Sequence, residues 1–237
     1  MKIEFQKVTK SFNKGKNIAL KDFNMELTLD KGIHALVGPN GAGKTTILKI
    51  LCGLLYPTNG CVLIDGKSLD DKWAKDNVTM ILSGDRCLYF KNTVFENMMY
   101  YSILQGNSPG ESKALIYEYA EDFGILDYLN RLVEGLSSGE KKKVCILAGL
   151  CAQSKILLID EPTWGLDIDS VLVLQELLKK LKETKDVSII ISSHDVNFLS
   201  GVADDYLFVK AGQNRGRVTE HLEVKELIEN YEKICIY

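Results

Sequence analysis

The chain of 237 residues has no apolar run near the roughly 18 residues that cross a bilayer as a helix. Its longest apolar stretches, Ile156-Leu157-Leu158-Ile159 and Val187 to Ile191, have the length of buried strands. Met1-Lys2-Ile3-Glu4 leads straight into alternating polar and apolar residues and lacks the pattern of a secretory leader. The expectation is a cytoplasmic protein that meets a membrane only through a partner, as a peripheral subunit. A basic excess is also missing. With 29 Lys and Arg against 32 Asp and Glu, a net charge of -3 and a pI near 5.7, nothing marks a nucleic-acid partner. The six cysteines show no CxxC spacing and no nearby His pair, which excludes a zinc site and a stapled scaffold and predicts reduced thiols. Histidine is scarce, at three residues, and proline and glycine stay well below disordered or fibrous levels. No internal repeat is visible. What remains, 46% hydrophobic and 26% charged, is an ordinary globular composition long enough to bury a large core.

From Lys2 to Val37, short strands and a turn at Asn13-Lys14-Gly15-Lys16 predict an antiparallel sheet. Ile33 to Val37 runs into a glycine-rich turn and then into a helical spacing of apolar residues over Thr45 to Leu55. Cys61 to Ile64 and Val78 to Leu82 read as strands, and Thr93 to about Gln153 reads as mostly helical. Strand and helix then alternate: Ile156 to Ile159, Ile168 to Lys182, Val187 to Ser192. This implies parallel strands with crossover helices. Tyr206 to Val209 and Arg217 to Thr219 form a hairpin around Lys210-Ala211-Gly212, and Glu223 to Lys233 a last helix. The expected class is α/β, a parallel P-loop core with an N-terminal antiparallel part and a helical insert at about 87–153, within a single domain over 1–237.

Gly38-Pro39-Asn40-Gly41-Ala42-Gly43-Lys44-Thr45, followed by Thr46, fits GxxxxGK[ST] between a strand and a helix. With glycine near 7% of residues, the bare pattern arises by chance in roughly one such chain in a hundred, and the strand–helix setting reduces that further. Glycines let amide N–H groups face phosphate oxygens, Lys44 reaches the terminal phosphates, and Thr45 suits Mg2+. These residues predict ATP-type nucleotide binding.

A second apolar strand ends at Asp160-Glu161. Carboxylates at the carboxyl end of a parallel strand lie where such sheets bind ligands. Asp160 is placed to hold Mg2+ through water and Glu161 to activate the attacking water. His194 follows another strand and can contact the terminal phosphate. His34 and His221 read as a strand residue and a solvated one.

Together these residues resemble the nucleotide-binding domain of ATP-binding cassette transporters over essentially the whole chain. Leu136-Ser137-Ser138-Gly139-Glu140 is similar to the LSGGQ signature, at the start of a helix. The resemblance implies that Ser137, Ser138 and Gly139 contact the γ-phosphate of ATP held by a second cassette, identical or not. It implies that Phe12 stacks on adenine, that Asp167 in Pro162-Thr163-Trp164-Gly165-Leu166-Asp167 couples two sites, and that His194 is a switch residue. It also implies integral membrane permease subunits on other chains.

One position departs from the pattern. Where the family usually has a metal-contacting glutamine after the strand, this chain has Ser83, able to reach Mg2+ only through water. Leu88 to Asn97 is similar to the LYxxLTVxEN stretch of exporter-type cassettes, with aromatics that either fill the helical insert or form a groove for a membrane subunit. The alternative function is a soluble cassette ATPase of translation or DNA maintenance. The tandem cassettes or long coiled coil of such relatives are absent. A small-molecule P-loop kinase has no use for the signature.

Overall fold

The computed structural model describes residues 1–13, 15–84 and 87–236, without the side chains of Asp71 and Ile236. Lys14 of the expected turn, and Asp85 and Arg86 in the loop after Ser83, lie outside the described residues. β1 (Lys2–Phe12) and β2 (Asn17–Thr28) are one long antiparallel hairpin, extended by β4 (Asn59–Ile64) and β5 (Lys67–Ser68) in the order β2-β1-β4-β5. Alternation writes this sheet: Ile3, Phe5, Phe23, Met25 and Leu27 are buried while most of their neighbours are not.

β3 (Ile33–Val37) does not join that sheet, although the sequence grouped it there. All five of its residues are buried, which suits a central strand covered on both faces. It lies in a six-stranded sheet with β6 (Val78–Ile81), β7 (Ile156–Asp160), β8 (Ser188–Ser193), β9 (Asp205–Lys210) and β10 (Gln213–Val218), in the order β10-β9-β3-β8-β7-β6. Only the β9–β10 hairpin is antiparallel, so the expected α/β class with a parallel P-loop core and an antiparallel N-terminal sheet is the observed one.

The six-stranded sheet divides two cores. Leu157, Ile159, Ile189 and Ile191 face one, with α3 (Val94–Leu104), α4 (Pro109–Asp122), α5 (Ser138–Leu150) and α6 (Ile168–Thr184). Ile156, Leu158 and Ile190 face the other, where α1 (Lys44–Leu51) is packed with the antiparallel sheet. Truncating Leu158, fully buried, to alanine costs about 2–5 kcal/mol.

The helix starts are written in the sequence. Thr93 with Glu96, Ser108 with Glu111, and Ser137 with Glu140 close capping boxes on α3, α4 and α5. Two details differ from expectation. α1 stops at Leu51, leaving Leu54 exposed, and α2 (Asp71–Asn77), capped by Asp70, was not foreseen. α7 (Val196–Ser200) and α8 (Val224–Tyr231) complete the chain of helices. His34 is buried in β3, its Nδ1 2.7 Å from Asp205 Oδ2, which also accepts from Arg217 Nη2 at 2.7 Å. Desolvation works against the Asp205 charge, but the hydrogen bonds from His34 and Arg217 win and hold its carboxyl below the usual range.

Among the described residues no helix is long and apolar enough to cross a membrane.

Candidate functional site

Sheet register gathers the site at one rim. Asp160 lies opposite Ser192, Ile159 opposite Ile81, and Val37 opposite Ser193. Gly38, Glu161 and His194, which follow β3, β7 and β8, and Ser83, two residues past β6, therefore leave the sheet on the same side.

The loop from β3 to α1 turns on Gly43, whose φ of 107° lies in the left-handed region. A Cβ on Gly43 would sit 2.7 Å from the Ala19 carbonyl oxygen of β2, so only glycine fits. Gly43 is also the N-cap of α1. It has no side chain to cap the first turn, whereas α2 to α7 each begin with a side chain accepting a helix amide. The open N–H groups of α1 and its dipole are left for an anion.

Lys44 is 5% exposed, and its Nζ donates to the Gly38 carbonyl at 2.7 Å and the Pro39 carbonyl at 3.2 Å. It also pairs with Glu161 Oε1 at 3.1 Å. The other oxygen of Glu161 lies 2.9 Å from His194 Nδ1. Glu161 has a φ of 43°, and its amide donates to the Ser192 carbonyl at 2.9 Å. A left-handed glutamate costs about 1–3 kcal/mol, which the surrounding strands must offset. Thr45 Oγ1 donates to both Asp160 oxygens, at 2.9 and 3.0 Å, and the Ser192 hydroxyl donates to Oδ1 as well. Asp160 is 4% exposed, and these donors are neutral hydroxyls. A buried carboxylate held by hydroxyls suits a hard cation with oxygen ligands. Among the described residues there is no cluster of three or more His, Cys, Asp or Glu that could hold a metal ion.

Ser83 lies on the same rim, exposed, and no hydrogen bond joins it to Thr45 or Asp160 among the described residues. Phe12 ends β1 beside Asn17, is 38% exposed, and has Lys10 Nζ 5.2 Å from its ring centre. The adjoining β2 carries Ala19 against Gly43, which places Phe12 on the hairpin that abuts the phosphate loop.

The signature stands elsewhere. Ser137 Oγ accepts the Glu140 amide at 3.2 Å, and Glu140 Oε2 accepts the Ser137 amide at 2.7 Å. That amide holds the Glu140 carboxyl below the ordinary glutamate value. Ser137, Gly139, Lys143 and Asp169 line an open cavity of about 240 Å³ that contains no residue of the phosphate loop. Gly139 is pressed against α6, since a Cβ there would meet Ser170 Oγ at 2.4 Å. Asp167, exposed, caps α6 by accepting the Ser170 amide at 2.8 Å. Its carboxyl is held low by the Ser170 hydroxyl and amide.

Three features were not foreseen. Ser192 was missed as a partner of Asp160, though a serine closing an apolar strand is its signal. Lys142 is buried and donates to the Gly84 carbonyl at 3.3 Å. Cys87 and Cys145 are joined in a disulfide, against the expectation of six reduced thiols, because the fold brings their Cα atoms to 6.4 Å across a sequence separation of 58. Sequence spacing carries no trace of that proximity.

Comparison with known proteins places the arrangement. The family described as ABC transporter matches residues 20–164. The ABC transporter ATP-binding protein NatA of Bacillus subtilis is 34% identical over 208 residues, which cover 86% of this chain and 84% of NatA. A dimeric ATP-binding cassette in a post-hydrolysis state, bound to ADP and Pi, is 27% identical with a TM-score of 0.77, covering 92% of this chain and 98% of that one. The structure of cbiO1 from Clostridium perfringens, part of the ABC transporter complex cbiONQ, shares the fold at a TM-score of 0.84 and 24% identity, over 98% of this chain and 92% of its own.

Proposed function

The chain belongs to the ABC transporter family as an ATP-binding subunit, an ATPase whose hydrolysis is coupled to transport, and we propose that two cassettes close on two ATP molecules, each site shared between them. The observation that carries this reading is the separation within one chain. Lys44, Thr45, Asp160 and Glu161 converge at one rim, while Ser137 and Gly139 line a separate open cavity.

In this reading the phosphates take the open amides of α1, with residues Gly38 to Thr46 wrapped around them. Lys44 exchanges the Gly38 and Pro39 carbonyls for phosphate oxygens, which releases Glu161 from its ion pair. Glu161 then accepts a proton from the attacking water, with His194 holding the opposite carboxylate oxygen and facing the terminal phosphate. Thr45 and Asp160, with Ser83 through water, would hold Mg2+, which offsets charge on the phosphate oxygens. Phe12 offers its exposed ring to adenine. Ser137, Ser138 and Gly139 of the second cassette close on the γ-phosphate, and Asp167 lies between the two sites.

The chain acts as a single domain over 1–237, its helical part at about 87–153 turned toward permease subunits. Tyr100, Met99, Ile103 and Leu104 of α3 line an exposed, largely apolar groove of about 310 Å³, bordered by Glu96, and Tyr89 stacks edge-on against Tyr100 at 5.1 Å. Such a groove fits an apolar cytoplasmic helix of a membrane subunit. The similarity of Leu88 to Asn97 to exporter-type cassettes supports outward transport from a cytoplasmic, membrane-peripheral position.

Glu161→Gln tests the assignment. ATP binding should persist while phosphate release falls about 10²-fold or more. Unchanged turnover would remove Glu161 from the mechanism. Isolation with ribosomes instead of integral membrane proteins would overturn the transport reading.

A further inference from the structure

Two ties bind the loop after β6 to one face of α5. Lys142 donates to the Gly84 carbonyl, and one turn further along the helix Cys145 is bonded to Cys87. Ser83 lies in the same loop, and Ser137 caps the same helix. The C-terminal half of α5 is packed on β6, where a Cβ on Gly149 would lie 3.1 Å from Ile81 Cδ1. The far end of the loop is held too, because the Tyr101 hydroxyl of α3 donates to the Cys87 carbonyl and Leu88 is buried.

We propose that Cys87 and Cys145 form a redox latch, whose disulfide adds a covalent tie between the Ser83 loop and the signature helix and slows ATP turnover, and whose reduction leaves the loop on its hydrogen bonds alone. This rests on the reading of Ser83 and Ser137 given above.

The chemistry is thiol–disulfide exchange with a low-molecular-weight disulfide such as oxidised glutathione. Cys87 is the half-buried partner and Cys145 is 2% exposed, so the Cys87 thiolate attacks first. One glutathione thiolate leaves and Cys87 becomes a mixed disulfide. Cys145 loses its proton and attacks the Cys87 sulfur, and the second glutathione thiolate leaves. Two protein thiols are oxidised as one disulfide is reduced to two thiols, and a dithiol reductant reverses the step. Cys52, Cys61, Cys151 and Cys235 are free cysteines. Burial pushes the Cys151 thiol up to about 12, which keeps it out of the exchange.

The test uses the full-length protein equilibrated with oxidised or reduced glutathione. Thiol titration in denaturant should find six thiols in the second case and, in the first, no free thiol at Cys87 or Cys145, with the 87–145 cross-linked peptide found by mass spectrometry. The oxidised protein should turn over ATP about fivefold or more slowly at unchanged ATP affinity. Cys87→Ser should turn over at the reduced rate in both buffers, and Cys145→Ser should match it if its melting temperature shows it folded. Six thiols in oxidised glutathione, equal turnover with the disulfide intact, or redox sensitivity persisting in Cys87→Ser would each overturn the latch. A wrong assignment of the hydrolytic site appears in Glu161→Gln and leaves the thiol count untouched.

Discussion

The phosphate-loop end and the signature end of the molecule both present a helix start, yet they are built in opposite ways. α1 begins at Gly43 with no side chain over its amides, while its own Lys44 and Thr45 meet two adjacent carboxylates at the end of the distant strand β7. α5 begins with Ser137 and Glu140 satisfying each other, and Arg131, nine residues before Glu140, donates to its other carboxylate oxygen. The first start is left open chemically and assembled by tertiary structure. The second is complete locally and exposed sterically. A ligand bound at the first completes unsatisfied groups, whereas one reaching the second meets a helix start whose cap is already made.

The most severe break of that contrast is Lys44→Ala, which removes the buried cation. ATP turnover should fall about 10²–10³-fold in a phosphate-release assay, as for removal of a preorganised charge. Next is Gly139→Ala. The added Cβ meets Ser170 Oγ at 2.4 Å, so turnover should drop about tenfold while ATP affinity at low protein concentration is unchanged. Ser170→Gly in the same chain should restore part of the loss. A weakened single-chain affinity in Gly139→Ala would show that the two ends are one site after all. Ser137→Ala should lower stability by about 1 kcal/mol through loss of the α5 cap, read in a urea melt.

The smallest effect concerns acid. Glu140 is held below the ordinary glutamate value by the Ser137 amide, and Glu96 by the Thr93 amide. A depressed carboxyl contributes stability in full above its unfolded value and loses it as pH falls through the folded value. Helicity followed by circular dichroism should therefore begin to fall below about 4.5, and Glu140→Gln, which keeps a side-chain acceptor, should lessen that fall without changing the neutral melt beyond about 0.5 kcal/mol.

Local signals made most of this legible. Gly38 to Thr45 and Asp160-Glu161 stood out because glycine conformations and strand-end carboxylates are written over a few adjacent residues. The capping boxes were equally local, although only the Ser137 start was read. What stayed hidden depends on contacts between distant segments. The placing of β3 in the parallel sheet, the hydroxyl of Ser192 on Asp160, the burial of Lys142 and the pairing of Cys87 with Cys145 all arise when strands and helices far apart in sequence are brought side by side.

The division of the molecule into two cores sets a rule for anyone wishing to shorten it. The family match begins at residue 20, inside β2. A fragment cut there would discard β1, the strand that pairs with both β2 and β4, and would remove Ile3, Phe5 and Val8 from the core they share with Leu36, Ile47, Leu48 and Ile190. Such a fragment should aggregate on expression, because it exposes apolar surface of the core that α1 shares with the antiparallel sheet.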